Sequence, residues 1–213
     1  MVSQVGAPVA GARRRARNRR GEGARLRDEL VTAARQLLMT AERESDLSIR
    51  AVTRAAGAAP QSFYLQFASL DELLYVVYAL EFGDLREAMA HAMSGVADPS
   101  GRLLALCRGY CEYAEAHPGR YRLLTGVPGQ LHEAWEGQPM PGAPAFELLL
   151  QTVSAALADG RVETDPYLAA STLWAWLHGI VTLRAARPAF RWPPLEDMLV
   201  SVVQQLLAAQ PAR

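Results

Sequence analysis

The sequence predicts an all-helical protein. Three observations support this prediction. Apolar residues recur at helical spacing from Leu26 onward, no stretch of any length shows the alternation of a half-buried strand, and the breaks between periodic segments fall mostly at Gly or Pro. With 213 residues, half of them apolar, the chain is long enough to bury a sizeable core.

The first two helices are delimited by recognisable start and stop residues. The first is expected from near Glu22 to about Arg43. Ser48 can cap a second, because its hydroxyl can accept a hydrogen bond from a free backbone N–H of the first turn. Gly57 ends this helix, since glycine tolerates the left-handed conformation found at helix C-termini.

A third helix is expected from Pro60 to Phe67, because proline suits the first turn, where its missing N–H costs nothing. A fourth begins at Ser69, with Asp71 and Glu72 favoured in its first turn by the helix dipole. The remaining predicted helices bring the total to nine: this fourth helix runs to about residue 94, and others span about 99–116, 118–125, 143–159, 164–187 and 194–209, with a Pro- and Gly-rich loop at 127–144.

Charge is divided unevenly along the chain, although the formal net charge is zero. Residues 1–54 hold 12 Arg against 6 acids, a balance of +6, and the remaining 159 residues hold 10 Arg against 16 acids, a balance of −6. A basic front and an acidic rear are typical of a chain whose front meets a polyanion, although a solvated basic tail gives the same count.

The second and third helices are too short to bury a core of their own, and they lie next to each other. Two such helices joined by a tight Gly-containing turn and flanked by longer amphipathic helices predict a helix-turn-helix. The major groove of B-DNA, about 12 Å wide, admits one such helix with its N-terminal side chains at base edges. Its outward positions Gln61, Ser62, Leu65 and Gln66 are mostly amides and hydroxyls, which can bond base edges and phosphates.

The string LSIRAVTRAAGAAPQSFYLQFASLDELL, residues 47–74, resembles the TetR family of transcription regulators, and the match covers residues 25–75. The resemblance implies that Ser48, Arg50, Tyr64 and the residues that begin the third helix contact DNA, Tyr64 mainly through a phosphate. Two positions depart from the family pattern: Leu70 replaces a usual basic residue, and Gln66 replaces a frequent His.

An Arg-rich arm precedes the first helix. Residues 1–21 lack apolar periodicity, so we expect them to be disordered in isolation. The arm can follow the DNA backbone or a minor groove, or it can be a solubilising tail. The full set of predicted DNA-binding residues is Ser48, Arg50, Gln61, Ser62, Tyr64 and Gln66, with Arg13, Arg14, Arg15, Arg17, Arg19 and Arg20 in the arm.

The rear of the chain offers no catalytic constellation and no metal-ligand spacing, so neither enzymatic activity nor a cofactor is expected. Cys107 and Cys111 are expected to be buried free thiols. No run reaches the eighteen or so apolar residues of a membrane span, and the Arg-rich start lacks the apolar segment of a signal peptide, so a cytoplasmic protein without a membrane partner is predicted.

The string WAWLHG, residues 174–179, and the string HPGRYRLL, residues 117–124, resemble the subset of TetR regulators whose C-terminal domain is named for a W-H-G pattern. Aromatic and Met side chains with a few hydroxyls can line an apolar ligand cavity, although most of these residues are expected to form core, and His178 can equally be a core or interface group. The candidate ligand-binding residues are Tyr78, Phe82, Met89, Tyr110, Tyr113, Trp135, Phe146, Trp174 and His178.

The prediction as a whole is a homodimeric repressor that leaves its double-stranded DNA operator when a small apolar effector binds. The domains are an arm at 1–21, a helix-turn-helix domain at 22–70 and a ligand-binding and dimerisation domain at 71–213. By resemblance, the last two helices form the dimer interface. Two alternatives stay open: a ligand-independent DNA-binding dimer, and a helical small-molecule-binding protein or enzyme with a relic DNA-binding domain.

Overall fold

The computed structural model describes residues 22–40, 47–125, 135, 137–160 and 162–208. Within these ranges the protein is all-helical, with nine helices and no strand. The helices are α1 (Glu22–Thr40), α2 (Ile49–Ala55), α3 (Pro60–Phe63), α4 (Leu70–Ala92), α5 (Pro99–Ala116), α6 (Pro118–Thr125), α7 (Ala143–Gly160), α8 (Pro166–Ala186) and α9 (Leu195–Ala208). The predicted fold class and the order of helices are confirmed.

The ends of the short helices follow the predicted chemistry. The Ser48 hydroxyl caps α2 by accepting from the Ala51 N–H at 3.2 Å, and Gly57 follows α2 with a φ of +64°. Pro60 is the first residue of α3. The Ser48 cap pairs a backbone group that a helix end leaves without a partner, which helps to fix where α2 begins.

The third helix is shorter than predicted. Regular α-helix ends at Phe63, and the chain then continues in tight turns, in which the Gln66 N–H donates to the Phe63 carbonyl at 2.9 Å. Such i to i+3 bonds tighten a last turn. The tightening lets Phe67 join Phe63 in the core, where the two side chains are 1% and 0% exposed.

Two apolar cores lie along the molecule. The front core gathers α1, α2 and α3 around Leu30, Val52 and Phe63, and the rear core gathers α5, α7, α8, α9 and the second half of α4. Gly109 lets α5 approach α4 closely, because a Cβ there would lie 2.8 Å from the Ala92 Cβ. Both cores are built mainly from the apolar positions that repeat at helical spacing.

Cys107 and Cys111 are free and buried in the rear core, as predicted. Burial raises the pKa of the Cys111 thiol to about 12 and raises that of Cys107 further. A thiol that stays protonated is a poor nucleophile and a poor metal ligand, so both act as small apolar groups.

Helix α4 belongs to both cores. Its first half places Leu73, Val77 and Tyr78 in the front core, and its second half places Leu85 and Met89 in the rear core. A single helix therefore contributes side chains to both cores. Among the described helices, none is both long and apolar enough to cross a membrane.

Candidate DNA-binding surface and ligand cavity

The exposed side of α3 and of the turn that follows it carries side chains predicted to contact DNA. Gln61 is exposed, Tyr64 is 63% exposed, and Leu65 is 70% exposed. The Tyr64 ring packs edge-on against Phe63, with centroids 5.5 Å apart. The ring therefore rests on the front core while much of the side chain remains open to a DNA backbone.

The start of α2 adds two of the predicted contacts. Ser48 and Arg50 are both exposed. The Ser48 oxygen accepts from the backbone as the cap of α2, which leaves its O–H able to donate to a phosphate oxygen. A helix N-terminus also favours an anion through its unpaired N–H groups and dipole.

Gln66 lies apart from this exposed set. It is half-buried, its backbone carbonyl accepts from the Arg27 guanidinium at 2.7 Å, and its side-chain amide nitrogen lies 3.8 Å from the position a Cβ would take on Gly23. The Arg27 guanidinium also sits 4.2 Å from the centroid of the Phe67 ring. Arg27, which the sequence analysis did not single out, therefore holds the end of the segment 60–67, here named the reading segment, against α1.

The arm residues Arg13, Arg14, Arg15, Arg17, Arg19 and Arg20 lie outside the described residues. Their predicted contact with DNA stays a prediction, as does the role of each residue on α2 and α3.

Substitutions of Gln61 and Tyr64 distinguish contacts with DNA bases from contacts with the DNA backbone. Gln61→Ala should cost about 1 to 3 kcal/mol per half-site on the true operator and little on scrambled DNA, because an amide can bond an adenine edge bidentately. Tyr64→Phe should weaken binding to both duplexes alike, because a phosphate contact carries no sequence information. Titration of both variants against the two duplexes at one fixed salt concentration measures this, and equal losses for Gln61→Ala would exclude base reading.

An apolar cavity of about 660 Å³ lies in the rear of the molecule. Its volume falls in the usual range for small-molecule sites, about 300 to 1,000 Å³. It is bounded by α4, α5, α6, α7 and α8, by Trp135 and by the segment just before α7, and the lining residues described carry no Asp, Glu, Lys or Arg side chain.

Eight of the nine candidate ligand-binding residues lie around this cavity, namely Tyr78, Phe82, Met89, Tyr110, Trp135, Phe146, Trp174 and His178. The exception is Tyr113, whose ring lies 5.1 Å from that of His117 and 5.5 Å from the Arg120 guanidinium. Three residues along a helix leave two side chains about 60° apart, and this offset turns Tyr113 away from the cavity that Tyr110 faces. Its inclusion among the cavity residues was therefore wrong.

The sequence analysis missed several lining residues on short segments. Tyr121, Leu124 and Thr125 come from α6, and Met140 and Pro141 from the turn before α7. The string HPGRYRLL pointed to α6 as a region but not to the side of α6 that faces the cavity.

One polar chain interrupts the apolar wall of the cavity. The Tyr110 and Tyr121 hydroxyls are 2.8 Å apart, and the Tyr121 hydroxyl lies 2.8 Å from His178 Nδ1. The chain links α5, α6 and α8, so three elements of the cavity wall are held in register by two hydrogen bonds.

A buried ionic cluster connects α1 to the cavity wall. The Glu81 side chain, 0% exposed, accepts from Arg35 of α1 at 2.6 Å and from Arg120 of α6 at 2.5 Å. Asp84 pairs with the same two guanidinium groups. Nothing in sequence spacing reveals the pairing of Arg35 with a partner 46 residues away.

Trp135 forms a second connection. Its indole N–H donates to the Asp71 carbonyl in the first turn of α4 at 3.2 Å, and its ring packs edge-on against Tyr75 and Tyr78. Trp135 belongs to the front core and also lines the cavity. Trp135 therefore lies between the cavity and α4, the helix that follows α3.

Comparison with known proteins agrees with this architecture. Residues 103–207 match the family model described as the tetracyclin repressor-like C-terminal domain. The chain is 29% identical over 188 residues to an uncharacterized HTH-type transcriptional regulator of Mycobacterium tuberculosis, covering 86% of this chain and 83% of that protein.

Solved structures share the fold. A putative TetR family transcription regulator from Shewanella sp. PV-4 superposes with a TM-score of 0.68 at 15% identity, covering 88% of this chain and 99% of that one. The FadR regulator from Bacillus subtilis, solved in complex with stearoyl-CoA, superposes with a TM-score of 0.64 at 14% identity, covering 85% of this chain and 97% of that one.

The fold, the helix-turn-helix and these matches define a DNA-binding transcription regulator. The matches to the C-terminal domain model and to the HTH-type regulator support a TetR family regulator.

Proposed function

We propose that the protein is a homodimeric repressor that leaves its operator when a small, largely apolar effector fills the rear cavity. The observation that carries this proposal is the position of the cavity: Tyr78 and Trp135 belong to the front core and also form part of the cavity wall. A ligand in the cavity thus contacts side chains on which the DNA-binding part is built. The Bacillus subtilis protein of the same fold, solved with stearoyl-CoA, supports a bundle of this kind accepting a long apolar molecule.

The route from cavity to DNA runs through α4 and α6. Tyr121 of α6 lines the cavity, and its neighbour Arg120 pairs with Glu81, which also binds Arg35 of α1. The dimer would have one state whose reading segments match the spacing of the operator half-sites and another whose reading segments do not. A ligand that binds the second state more tightly lowers operator affinity, at most by the ratio of its affinities for the two states.

The outer face of α8 and α9 supports the proposed dimer. It carries an apolar groove lined by Trp176, Gly179, Leu183, Met198 and Val202, and Leu183 is 54% exposed. A contiguous exposed apolar surface of this kind marks an interaction site. We infer that a second copy of the chain packs against this groove. One reading segment contacts too few bases for a specific site, whereas two copies related by a twofold axis contact two half-sites.

The test of the proposed function is a titration of the protein against a labelled duplex from its own upstream region, followed by addition of apolar compounds that raise its melting temperature. We expect specific binding to this duplex over a scrambled one, and release by at least one stabilising compound. Specific binding that no stabilising compound weakens would favour the ligand-independent regulator. Absence of specific binding would favour a small-molecule-binding protein or enzyme with a relic DNA-binding domain.

Removing the Arg-rich arm tests its proposed DNA contact. Deletion of residues 1–21 should weaken DNA binding and flatten its salt dependence, because each phosphate that an Arg neutralises adds about 0.9 to the magnitude of the log–log salt slope. Affinities measured over a series of salt concentrations give the slope for both proteins. The same slope in the shortened and full-length proteins would make the arm a tail without DNA contacts.

A further inference from the structure

The polar chain of Tyr110, Tyr121 and His178 defines the chemistry of one end of the cavity. The two tyrosines are 4% and 5% exposed, and His178 is half-buried. Burial raises the pKa of Tyr110 well above its ordinary value and raises that of Tyr121 to about 12. Both hydroxyls therefore carry their protons at neutral pH, and each can donate one hydrogen bond.

The group at the far end of the chain indicates a direction of donation. Beside the larger effect of burial, the Trp174 indole acts on Tyr110 as a hydrogen-bond partner that lowers the pKa of its hydroxyl, and an indole N–H can only donate. If Tyr110 accepts there, it donates to Tyr121, and Tyr121 donates to His178 Nδ1. Each hydroxyl then makes one donation and one acceptance, and the neutral imidazole carries its proton on Nε2.

The Nε2–H of His178 is then a donor without a protein partner among the described residues, on a side chain that lines the cavity. Two other polar groups of the wall use their donors on backbone carbonyls: Trp135 donates to Asp71, and Thr125 donates to Tyr121. An apolar ligand with one well-placed acceptor would form a hydrogen bond with the His178 donor. A pure hydrocarbon would leave this donor without a hydrogen bond, and a desolvated donor without a partner carries an energetic penalty.

The other side chains of the cavity wall favour a neutral acceptor over a negatively charged one. The described lining holds no Lys or Arg that could pair with a carboxylate, and burying an unpaired carboxylate is much more costly than burying a neutral carbonyl. We propose that the cavity recognises a neutral carbonyl compound with an apolar body, such as a ketone or an ester, and that His178 Nε2–H donates to its carbonyl oxygen. This inference rests on the proposed ligand function of the cavity.

Three matched probes test it by calorimetric titration of the full chain at about pH 8, well above the ordinary His pKa of about 6.5. The probes are hexylbenzene, 4-hexylacetophenone and 4-hexylbenzoate, which share an apolar body and differ in the polar group. We expect the ketone to bind about tenfold more tightly than the hydrocarbon, as one net hydrogen bond provides, and the carboxylate to bind most weakly.

Substitutions assign that preference to His178. In His178→Phe the ketone preference should fall below about twofold, because the donor is gone while the apolar volume remains. His178→Gln should keep a preference of about threefold or more, because an amide offers both an acceptor for Tyr121 and a donor for the ligand. Tyr113→Phe is the matched control: it removes a buried hydroxyl of α5 outside the cavity and should change none of the three affinities.

The outcomes separate this inference from the function on which it rests. Binding of none of the three probes would overturn the apolar-ligand cavity and this inference with it. Equal affinities for ketone and hydrocarbon, tightest binding of the carboxylate, loss of the preference in His178→Gln, or an unchanged preference in His178→Phe would overturn the carbonyl proposal alone.

Discussion

Glu81→Gln should lower the free energy of unfolding by about 1 to 3 kcal/mol, less than the full cost of breaking a buried ion pair, because Asp84 still pairs with both guanidinium groups. The Glu81 side chain is 0% exposed and accepts from both Arg35 and Arg120. The substitution keeps the shape of the side chain but removes its charge, so two guanidinium groups lose a shared counterion. Urea unfolding followed by circular dichroism measures the change.

The control for this substitution lies on the same helix. Glu87 of α4 is exposed, so Glu87→Gln should stay within about 0.5 kcal/mol of the native protein. A loss below about 1 kcal/mol for Glu81→Gln would show that the ionic cluster contributes little to holding α1, α4 and α6 together.

Gly179→Glu should convert the proposed dimer into a monomer that is still folded. A Cβ on Gly179 would meet no atom within 4 Å in its own protomer, so the new side chain is accommodated in the isolated chain. In a dimer formed through the groove of α8 and α9, it would bury an unpaired carboxylate. We expect a cost of at least about 3 kcal/mol, more than a hundredfold in the dissociation constant.

Sedimentation velocity over a range of concentrations distinguishes the outcomes. Gly83→Glu is the matched control, because a Cβ there also meets nothing within 4 Å and Gly83 lies on α4, away from the groove. We expect a dimer for the native chain and for this control, with the same melting behaviour in all three proteins after correction for association. A native monomer, or a Gly179→Glu variant that remains dimeric, would place the interface elsewhere or remove it.

Residue order alone predicted the local features of the molecule. Ser48 and Pro60 start the two short helices and Gly57 ends the first of them, as their backbone chemistry requires. Apolar periodicity gave nine helices, and α5 and α6 begin and end at the predicted residues. Aromatic residues also marked the cavity, because large apolar side chains on facing helices must line whatever space the bundle leaves unfilled.

Helical periodicity did not settle which of two neighbouring faces meets the cavity. Tyr110 and Tyr113 are equivalent in sequence terms, yet only Tyr110 lines it, because a rotation of about 60° on α5 matters once the neighbouring helices are placed. The domain boundary predicted at residues 70 and 71 stays a prediction, and α4 contributes side chains to both cores.

The sequence by itself determined where most of the helices start and stop, the helix-turn-helix and the resemblance to the TetR family, because these depend on residues close together in the chain. Only the tertiary structure decided the pairing of Arg35 with Glu81, the contact of Arg27 with Gln66 and the chain from Tyr110 to His178. Arg27 and Gln66 are 39 positions apart in the chain, and Tyr121 and His178 are 57 positions apart. Partners at such separations are chosen by how the helices pack, and the pattern of any one helix does not contain that information.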